Sequence, residues 1–375
     1  MSKKVLYVAT VASHICQFHL PYLKWFKESG YEVHVAARNN LAEKNGLQLK
    51  YTDKHIEIPF ERSPFSPKNV KAYKQMKNLL DSEGYDLVVC NTPVGGIVTR
   101  LASKKARKNG TKVYYIAHGF HFYKGAPKKN WIIYYPIEKI FAKKCDAVIT
   151  ITNEDYVLAS KKFKTEVARM HGVGVDGDRH YAISNEEKLL VRKELGVSET
   201  DFVCLCTGEL NANKNQKFLI SLVNELKNKV PTFKLWLAGN GPLKEELEAQ
   251  IESLNLTDTV TLLGYQTQIE KFVRASDVVL SASKREGLPF NILEAMLAKR
   301  PVVASINRGH RELISNGENG FITNDSVEFV NAIVNLYSDA SLYEKIADKA
   351  YEDAQNYTIK ATMKEFKQII GDENE

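Results

Sequence analysis

Long apolar runs are missing from this sequence: none approaches the roughly 18 consecutive apolar residues that a membrane-spanning helix needs, so a helix-spanned membrane protein is disfavoured. Cysteine is sparse. The five, Cys16, Cys90, Cys145, Cys204 and Cys206, fall mostly in apolar runs and show no paired C-x2-C spacing, which points to reduced, buried thiols. The start, Met-Ser-Lys-Lys followed at once by a strand-like run, has neither the apolar region nor the cleavage site of a signal peptide, so a cytoplasmic location is expected. Repeats, low-complexity tracts and long linkers are also lacking. A strong single-sign charge is absent too: 52 Lys and Arg against 45 Asp and Glu give +7, spread along the chain with some clustering between residues 124 and 144. A nucleic-acid binder would gather its basic residues on one face with stacking aromatics, so no nucleic-acid partner is expected.

What is present fits two domains of ordinary size. Residues 5–9 and 32–37 read as buried parallel strands, with Gly30 closing the helix between them, a Rossmann-like opening. The loop expected at residues 10–21 has no G-x-G-x-x-G, so a dinucleotide has no glycine-lined seat and an NAD enzyme is disfavoured. His14 and His19 fall in that loop, at the carboxyl end of the strand, where doubly wound folds place ligands; helix-cap or core histidines are the alternative. Further strands are expected at 57–60, 86–90, 112–117 and 146–152, with a helix over 68–80 and a glycine-bearing turn at 91–96. In the second half, strands are expected at 202–207, 234–239, 277–280, 301–304 and 321–323, with a strand and a loop over 260–266, helices over 326–357 and a last one over 358–371.

The stretch from Ser281 to Ser305 organises the chain: strand, tight loop, short helix, strand. Gly287 allows close backbone approach to a ligand, Pro289 suits a first helical position, and Lys299 and Arg300 suit the helix C-terminus. Backbone N–H groups near Leu288, Pro289, Phe290 and Asn291 then point at an anion site. Glu286 and Glu294 bracket it, as acceptor-only groups able to hold vicinal hydroxyls.

Glu286 and Glu294, with seven residues between and Glu-Gly-Leu-Pro at the head, resemble the Glu-x7-Glu signature of retaining GT-B glycosyltransferases of the family-4 type. The flanking strands, Gly-His-Arg-Glu-Leu-Ile at 309–314 and Asn-Gly-Glu-Asn-Gly-Phe-Ile at 316–322 stand in the order that family shows. The resemblance implies an α/β chain of two Rossmann-like parallel-sheet domains facing across a cleft. Residues 1–178 would form the acceptor-side domain, 179–357 the nucleotide-sugar domain, and 358–375 a terminal helix crossing back to the first. His-Gly-Val-Gly-Val-Asp at 171–176 is similar to the family's Asn-Gly-Val-Asp junction.

The activity implied is transfer of a sugar from a nucleotide diphosphate sugar, UDP-linked, to a hydroxyl, with retention. The acceptor expected is a lipid-linked saccharide of bacterial surface-polysaccharide assembly. His118, followed by Gly119 beyond a strand, resembles the residue that contacts the donor sugar near the reacting carbon; a helix-capping histidine is the alternative. His118 and Glu286 are the catalytic candidates, and His14, His19 and Phe120 the acceptor-side ones. Gly208, Glu209, Lys214, Gly241, Tyr265, Arg285, Gly287, Leu288, Pro289, Phe290, Asn291 and Glu294 are the donor-binding ones. The family's Gly-Arg-Leu is Gly208-Glu209-Leu210 here, so one cation of the diphosphate clamp is lacking; Lys284, Arg285 or Arg308 could replace it, or Glu209 could orient Lys214 by a salt bridge. No cofactor and no metal are expected, because no Asp-x-Asp stands in a loop suited to a metal-bound diphosphate.

The basic and aromatic segment 124–144 has two readings: an amphipathic contact with the anionic inner face of the cell membrane, or a helix packed on its own domain with a lysine-rich outer face. Two other functions share the fold or the ligand, a sugar-nucleotide epimerase and a non-catalytic nucleotide-sugar-binding protein.

Overall fold

A computed structural model describes residues 2–43 and 46–372. They divide into two compact units, residues 2–174 with 359–372, and Val175–Thr358. The break at Gly174 lies ahead of the expected boundary at 178 because Val175 is already committed to the second unit. It pairs with Thr358, and its N–H donates to the Tyr357 carbonyl at 2.8 Å.

The first unit holds, among the described residues, seven strands: β1 (Lys4–Val11), β2 (Glu32–Arg38), β3 (Lys54–Glu57), β4 (Leu87–Asn91), β5 (Lys112–Ala117), β6 (Ala147–Thr150) and β7 (Glu166–Arg169). They form one sheet in the order β3-β2-β1-β4-β5-β6-β7, every neighbouring pair parallel. The inner strands are apolar nearly throughout because helices cover both faces; residues 87–91 are buried without exception. The order reverses between β1 and β4, which opens a crevice at their carboxyl ends.

The second unit repeats the scheme with β8 (Phe202–Thr207), β9 (Phe233–Ala238), β10 (Val260–Gly264), β11 (Val278–Ser281), β12 (Val302–Ala304) and β13 (Phe321–Ile322). Its order is β10-β9-β8-β11-β12-β13, all parallel, so its switch point lies between β8 and β11. Two apolar clusters sandwich this sheet, one including Leu219, Leu226 and Phe329, the other including Ile292, Met296 and Ala350.

Four local expectations are corrected. Residues 10–21 are not a loop: β1 runs to Val11 and leads into the helices Ala12–Phe18 and Leu20–Glu28, since Ala12, Ile15 and Cys16 recur at helical spacing and are buried. The strand expected at 57–60 lies at Lys54–Glu57; Pro59 has no N–H for a ladder, and Ile58 and Phe60 instead plug the core beyond the strand. Gly95 and Gly96 sit inside the helix Pro93–Ala102 rather than in a turn. A Cβ on Gly96 would lie 2.4 Å from Tyr115, and one on Gly95 3.1 Å from the Thr10 nitrogen, so these glycines let the helix press against β1 and β5. Finally, Pro289 is the N-cap of the helix Phe290–Leu297 rather than its first residue, and Lys299 and Arg300 lie past its last turn.

The terminal helix Ile359–Ile370 belongs to the first unit. Its Phe366 is fully buried against Tyr22, Trp25 and Phe26, with ring centroids 5.0, 6.3 and 6.0 Å away. Glu365 accepts from the His171 N–H at 2.9 Å and from its Nδ1 at 2.6 Å.

Candidate active site

In the second unit, the loop after β8 and the loop after β11 are laced together at the switch point. The Asn211 carboxamide oxygen accepts from the backbone N–H groups of Asn213 (3.0 Å) and Lys214 (2.9 Å), an Asx turn that sets the lysine's position. Across the gap, the Lys284 N–H donates to the Asn213 carbonyl at 2.8 Å, and Asn213 Nδ2 donates to the Arg285 carbonyl at 3.0 Å. Lys214 Nζ then donates to Glu286 Oε1 at 2.7 Å. Gly208, at φ +142°, lies directly beneath the lysine stem, where a Cβ would stand 3.0 Å from its Cε.

Glu209 does not orient Lys214. Its carboxylate accepts from Asn211 Nδ2 at 2.8 Å and stays exposed, so the lysine's partner is Glu286, far away in sequence. Lys284 and Arg285 are exposed, and Arg308 starts the helix Arg308–Leu313. Gly309 is required by close approach: a Cβ there would meet Glu286 Cβ and the Gly287 carbonyl, both at 2.7 Å. The Phe290–Leu297 helix opens beside this cluster, where Asn291 Nδ2 reaches the Thr207 carbonyl at 3.5 Å. Leu288 and Phe290 pack partly into the apolar cluster below, and Pro289 is buried. Gly208, Lys214, Glu286, Gly287 and Asn291 are therefore brought together.

Glu294 sits one turn into the helix in different company. His180 Nε2 is 3.6 Å from its Oε1, and burial pushes the carboxyl up to about 7 despite the opposing Arg179 charge. Burial also holds His180 down at about 4, so near neutral pH the ring is neutral while the Glu294 carboxyl stands at the midpoint between its neutral and charged forms. Arg179 is turned away into a fork on Glu270, its Nε and Nη2 donating to Oε2 at 3.0 and 2.8 Å. Tyr265 is 67% exposed beyond β10, two strands from the switch point, and Gly241 packs on the Leu210 backbone between them.

Sequence reasoning missed His180, Arg179 and His310. The first two follow the Val-Asp junction motif directly, the one available signal. His310 is fully buried; its Nδ1 donates to the Ser305 carbonyl at 2.5 Å, which leaves Nε2 to accept from the Ser281 hydroxyl at 3.1 Å. It thus ties the ends of β11 and β12 beneath the Glu286 loop.

In the first unit, His14, His19 and His118 converge at the carboxyl ends of β1 and β5. The Nε2 atoms of His14 and His19 lie 3.4 and 3.3 Å from that of His118. Burial holds all three rings below the usual imidazole range, His14 at about 4. His118 caps no helix; its Nε2 also stands 3.2 Å from Asn91 Oδ1, and the next helix, Lys128–Ala142, starts ten residues on. His19 is wholly buried in the break between two helices, its Nδ1 3.1 Å from the Tyr7 hydroxyl. Phe120 is chiefly a core residue, stacked on Phe122 at 4.8 Å, though it reaches the wall of a neighbouring cavity of about 290 Å³. Thr10, His14, Arg62, Ile97 and Tyr134 also line that cavity, a largely apolar hollow with one guanidinium.

The helix Lys128–Ala142 packs on its own unit. Its Glu138 accepts from the fully buried Arg100 at 2.9 Å, Trp131, Tyr134 and Tyr135 cover the core, and its outer face carries lysines and the exposed Ile132 and Ile140.

Residues 4–153 match the family described as "Glycosyl transferase 4-like", and residues 187–353 match "Glycosyl transferases group 1". The chain is 42% identical over 373 residues to EpsD of Bacillus subtilis (strain 168), a protein named as a glycosyltransferase, covering 98% of this chain and 96% of the relative. It is 29% identical, over 81% of each chain, to the UDP-Gal:alpha-D-GlcNAc-diphosphoundecaprenol alpha-1,3-galactosyltransferase of Escherichia coli. Among solved structures, HepE of Anabaena in complex with UDP and glucose superposes with a TM-score of 0.77 at 22% identity, covering 98% of this chain and 99% of that one. The two parallel sheets and their switch points are those of the GT-B fold, and the chain belongs to the family-4 type of bacterial glycosyltransferases.

Proposed function

We propose that the protein transfers a hexosyl group from a UDP-sugar to a hydroxyl of a lipid-linked saccharide, with retention of anomeric configuration and no metal ion at the diphosphate. The observation that carries this reading is the Lys214–Glu286 ion pair, held by the laced loops at the β8–β11 switch point beside a helix N-terminus. An arriving diphosphate draws Lys214 Nζ onto its oxygens and adds the dipole of the Phe290–Leu297 helix. Glu286, released, accepts hydroxyls of the donor sugar, and Glu294 accepts those of the ribose. The roles carried from the resemblance give His118 a hydroxyl of the donor sugar, and His14, His19 and Phe120 the acceptor side.

In the transfer, the bond from the anomeric carbon to the diphosphate breaks and a bond to the acceptor oxygen forms. The acceptor proton passes to the leaving diphosphate, whose charge Lys214 and the helix terminus stabilise. Two similar proteins support the choice of substrates. The Anabaena neighbour holds UDP and glucose, and the Escherichia coli relative makes an alpha linkage from UDP-Gal on a diphosphoundecaprenol acceptor. An acceptor with a lipid tail and a diphosphate suits an apolar cavity that carries Arg62. The exposed isoleucines and lysines of the Lys128–Ala142 helix suit peripheral contact with an anionic membrane on the cytoplasmic side.

Incubation of the protein with UDP-sugars, with and without a synthetic lipid-diphosphate saccharide, tests this. Transfer dependent on the acceptor, with an alpha anomeric signal in the product by NMR, is expected. Epimerised sugar without transfer would replace the reading with the epimerase, and donor binding with neither product would replace it with a binding protein. Sedimentation with anionic and neutral vesicles tests the membrane contact; recovery that ignores lipid charge would remove it.

A further inference from the structure

Glu294 stands in the proposed donor site without a hydrogen bond. Among the described residues its carboxyl accepts none, and the histidine paired with it, His180, keeps Nε2 3.6 Å from Oε1, beyond the roughly 2.7–3.2 Å of an N–H···O bond. No cation makes up for this, because the charged groups around the pair are engaged elsewhere. Arg179 forks onto Glu270 and also donates from Nη2 to the Thr267 carbonyl at 2.8 Å. Arg274 lies 4.4 Å over the Tyr181 ring, and it donates to that hydroxyl at 3.1 Å and to the Arg179 carbonyl at 3.3 Å. Asp176 accepts from the backbone N–H groups of Asp178 and Arg179 at 3.0 and 3.2 Å. A carboxylate so enclosed and unpaired is costly, which favours the protonated acid.

His180 sets the polarity of this corner. The ring is 5% exposed, and its Nδ1 is buried with no partner among the described residues. A neutral imidazole carries one N–H. Placed on Nδ1, that N–H would be a stranded buried donor; placed on Nε2, it faces Glu294 and leaves only a lone pair unused, the lesser cost. The ring therefore offers a donor to a carboxyl that, while protonated, has a donor of its own. A vicinal diol shifts the balance, since two O–H groups need acceptors and a carboxylate is acceptor-only, with lone pairs enough for both hydroxyls and the ring.

We infer that His180 is a positioning residue for the nucleotide and that donor binding expels a proton from Glu294. The carboxyl O–H bond breaks and its proton leaves to solvent, while the two ribose O–H groups and the His180 Nε2–H donate to the carboxylate. This rests on the ribose contact proposed above and adds to it a proton and a partner. Donor affinity climbs with pH up to about 7, where free Glu294 gives up its proton unaided, and levels off above. Below that point each unit of pH is worth up to about tenfold, the yield of one proton released per ligand bound. His180 acts through the carboxylate it stabilises, so its loss moves the levelling point upwards and does not simply weaken binding.

The test is calorimetric titration of UDP into full-length wild type, Glu294→Gln, His180→Phe and His180→Gln across neutral pH, in pairs of buffers that differ in ionisation enthalpy. The dependence of the heat on the buffer counts the protons released. The terminal phosphate of UDP titrates near about 6 and contributes alike in all four proteins, so the differences between them report Glu294. Just below neutrality, wild type should release about half a proton more per UDP bound than Glu294→Gln. His180→Phe should raise the pH at which affinity levels off by about one unit, a roughly tenfold loss near neutrality that fades at higher pH. His180→Gln, which keeps a donor, should restore the wild-type profile. Equal proton release by wild type and Glu294→Gln overturns the inference, as does a His180→Phe profile parallel to that of wild type at every pH. Should one of these two variants fail to fold or to bind, the other decides. Absence of UDP binding by wild type at every pH refutes the proposed donor and the inference with it, whereas binding without a difference in proton release defeats the inference alone.

Discussion

Glu294 carries two demands that pull against one another: its helix buries it, while the proposed ribose contact needs an acceptor. Its folded pKa of about 7 stands above the value near 4.3 of an unfolded glutamate, so the folded state holds the proton more tightly. The stability that results is complete below the unfolded value and is lost as pH rises through about 7. Glu294→Gln cannot lose it. Denaturant melts of wild type and Glu294→Gln should therefore coincide near pH 4 and diverge by about 1–3 kcal/mol in favour of the variant near pH 8, the range being discounted from the full linkage because the side chain remains 21% exposed. A constant difference across that pH range would contradict the assigned environment. In the first unit, Glu138→Ala strands the fully buried Arg100 charge and should cost about 3–5 kcal/mol, read from the shift in urea midpoint. The spacing of Glu286 and Glu294 was legible in the sequence because both lie in one local strand-loop-helix stretch, the first in the loop and the second in the helix. Their partners were not, since Lys214 and His180 reach them only through the sheet.

The glycine pair in the helix Pro93–Ala102 shows how packing overrides propensity. Gly→Ala inside a helix ordinarily gains up to about 1 kcal/mol. At Gly96 the added methyl would lie 2.4 Å from Tyr115, a buried ring held under the Arg100 guanidinium at 3.8 Å. Gly96→Ala should therefore lower stability by about 1–3 kcal/mol; a gain in thermal midpoint would show that the helix does not press on β5. The terminal helix offers a plainer case. Phe366→Ala, which empties a fully buried aromatic site against Tyr22, Trp25 and Phe26, should cost about 3–5 kcal/mol in a denaturant melt. Inner strands such as β4, β8 and β11 could be read from their apolar runs. The edge strand β7, with Glu166 exposed and the rest only half-buried, has no such run and was passed over. Around β3 the same logic misled, because Ile58 and Phe60 are apolar for the core they fill beyond the strand's end.

At the scale of the whole molecule, each unit gathers its unusual side chains around the switch point of its own sheet: the three histidines after β1 and β5, the strands on either side of β4, and the Lys214–Glu286 pair after β8 and β11. That coincidence follows from topology, since only where strand order reverses do neighbouring crossovers part and leave a crevice. Two parallel sheets were legible because buried parallel strands have a plain signature. The convergence of the histidines was not, since His14 and His118 are brought together by the order of the sheet and by nothing local. The central claim is that Lys214 holds the donor's diphosphate, and calorimetric titration of UDP into wild type and Lys214→Ala tests it most directly. Loss of one charge-assisted contact should weaken UDP binding by roughly 10–100-fold while the melting curve stays cooperative. Equal affinity in the two proteins would contradict the account.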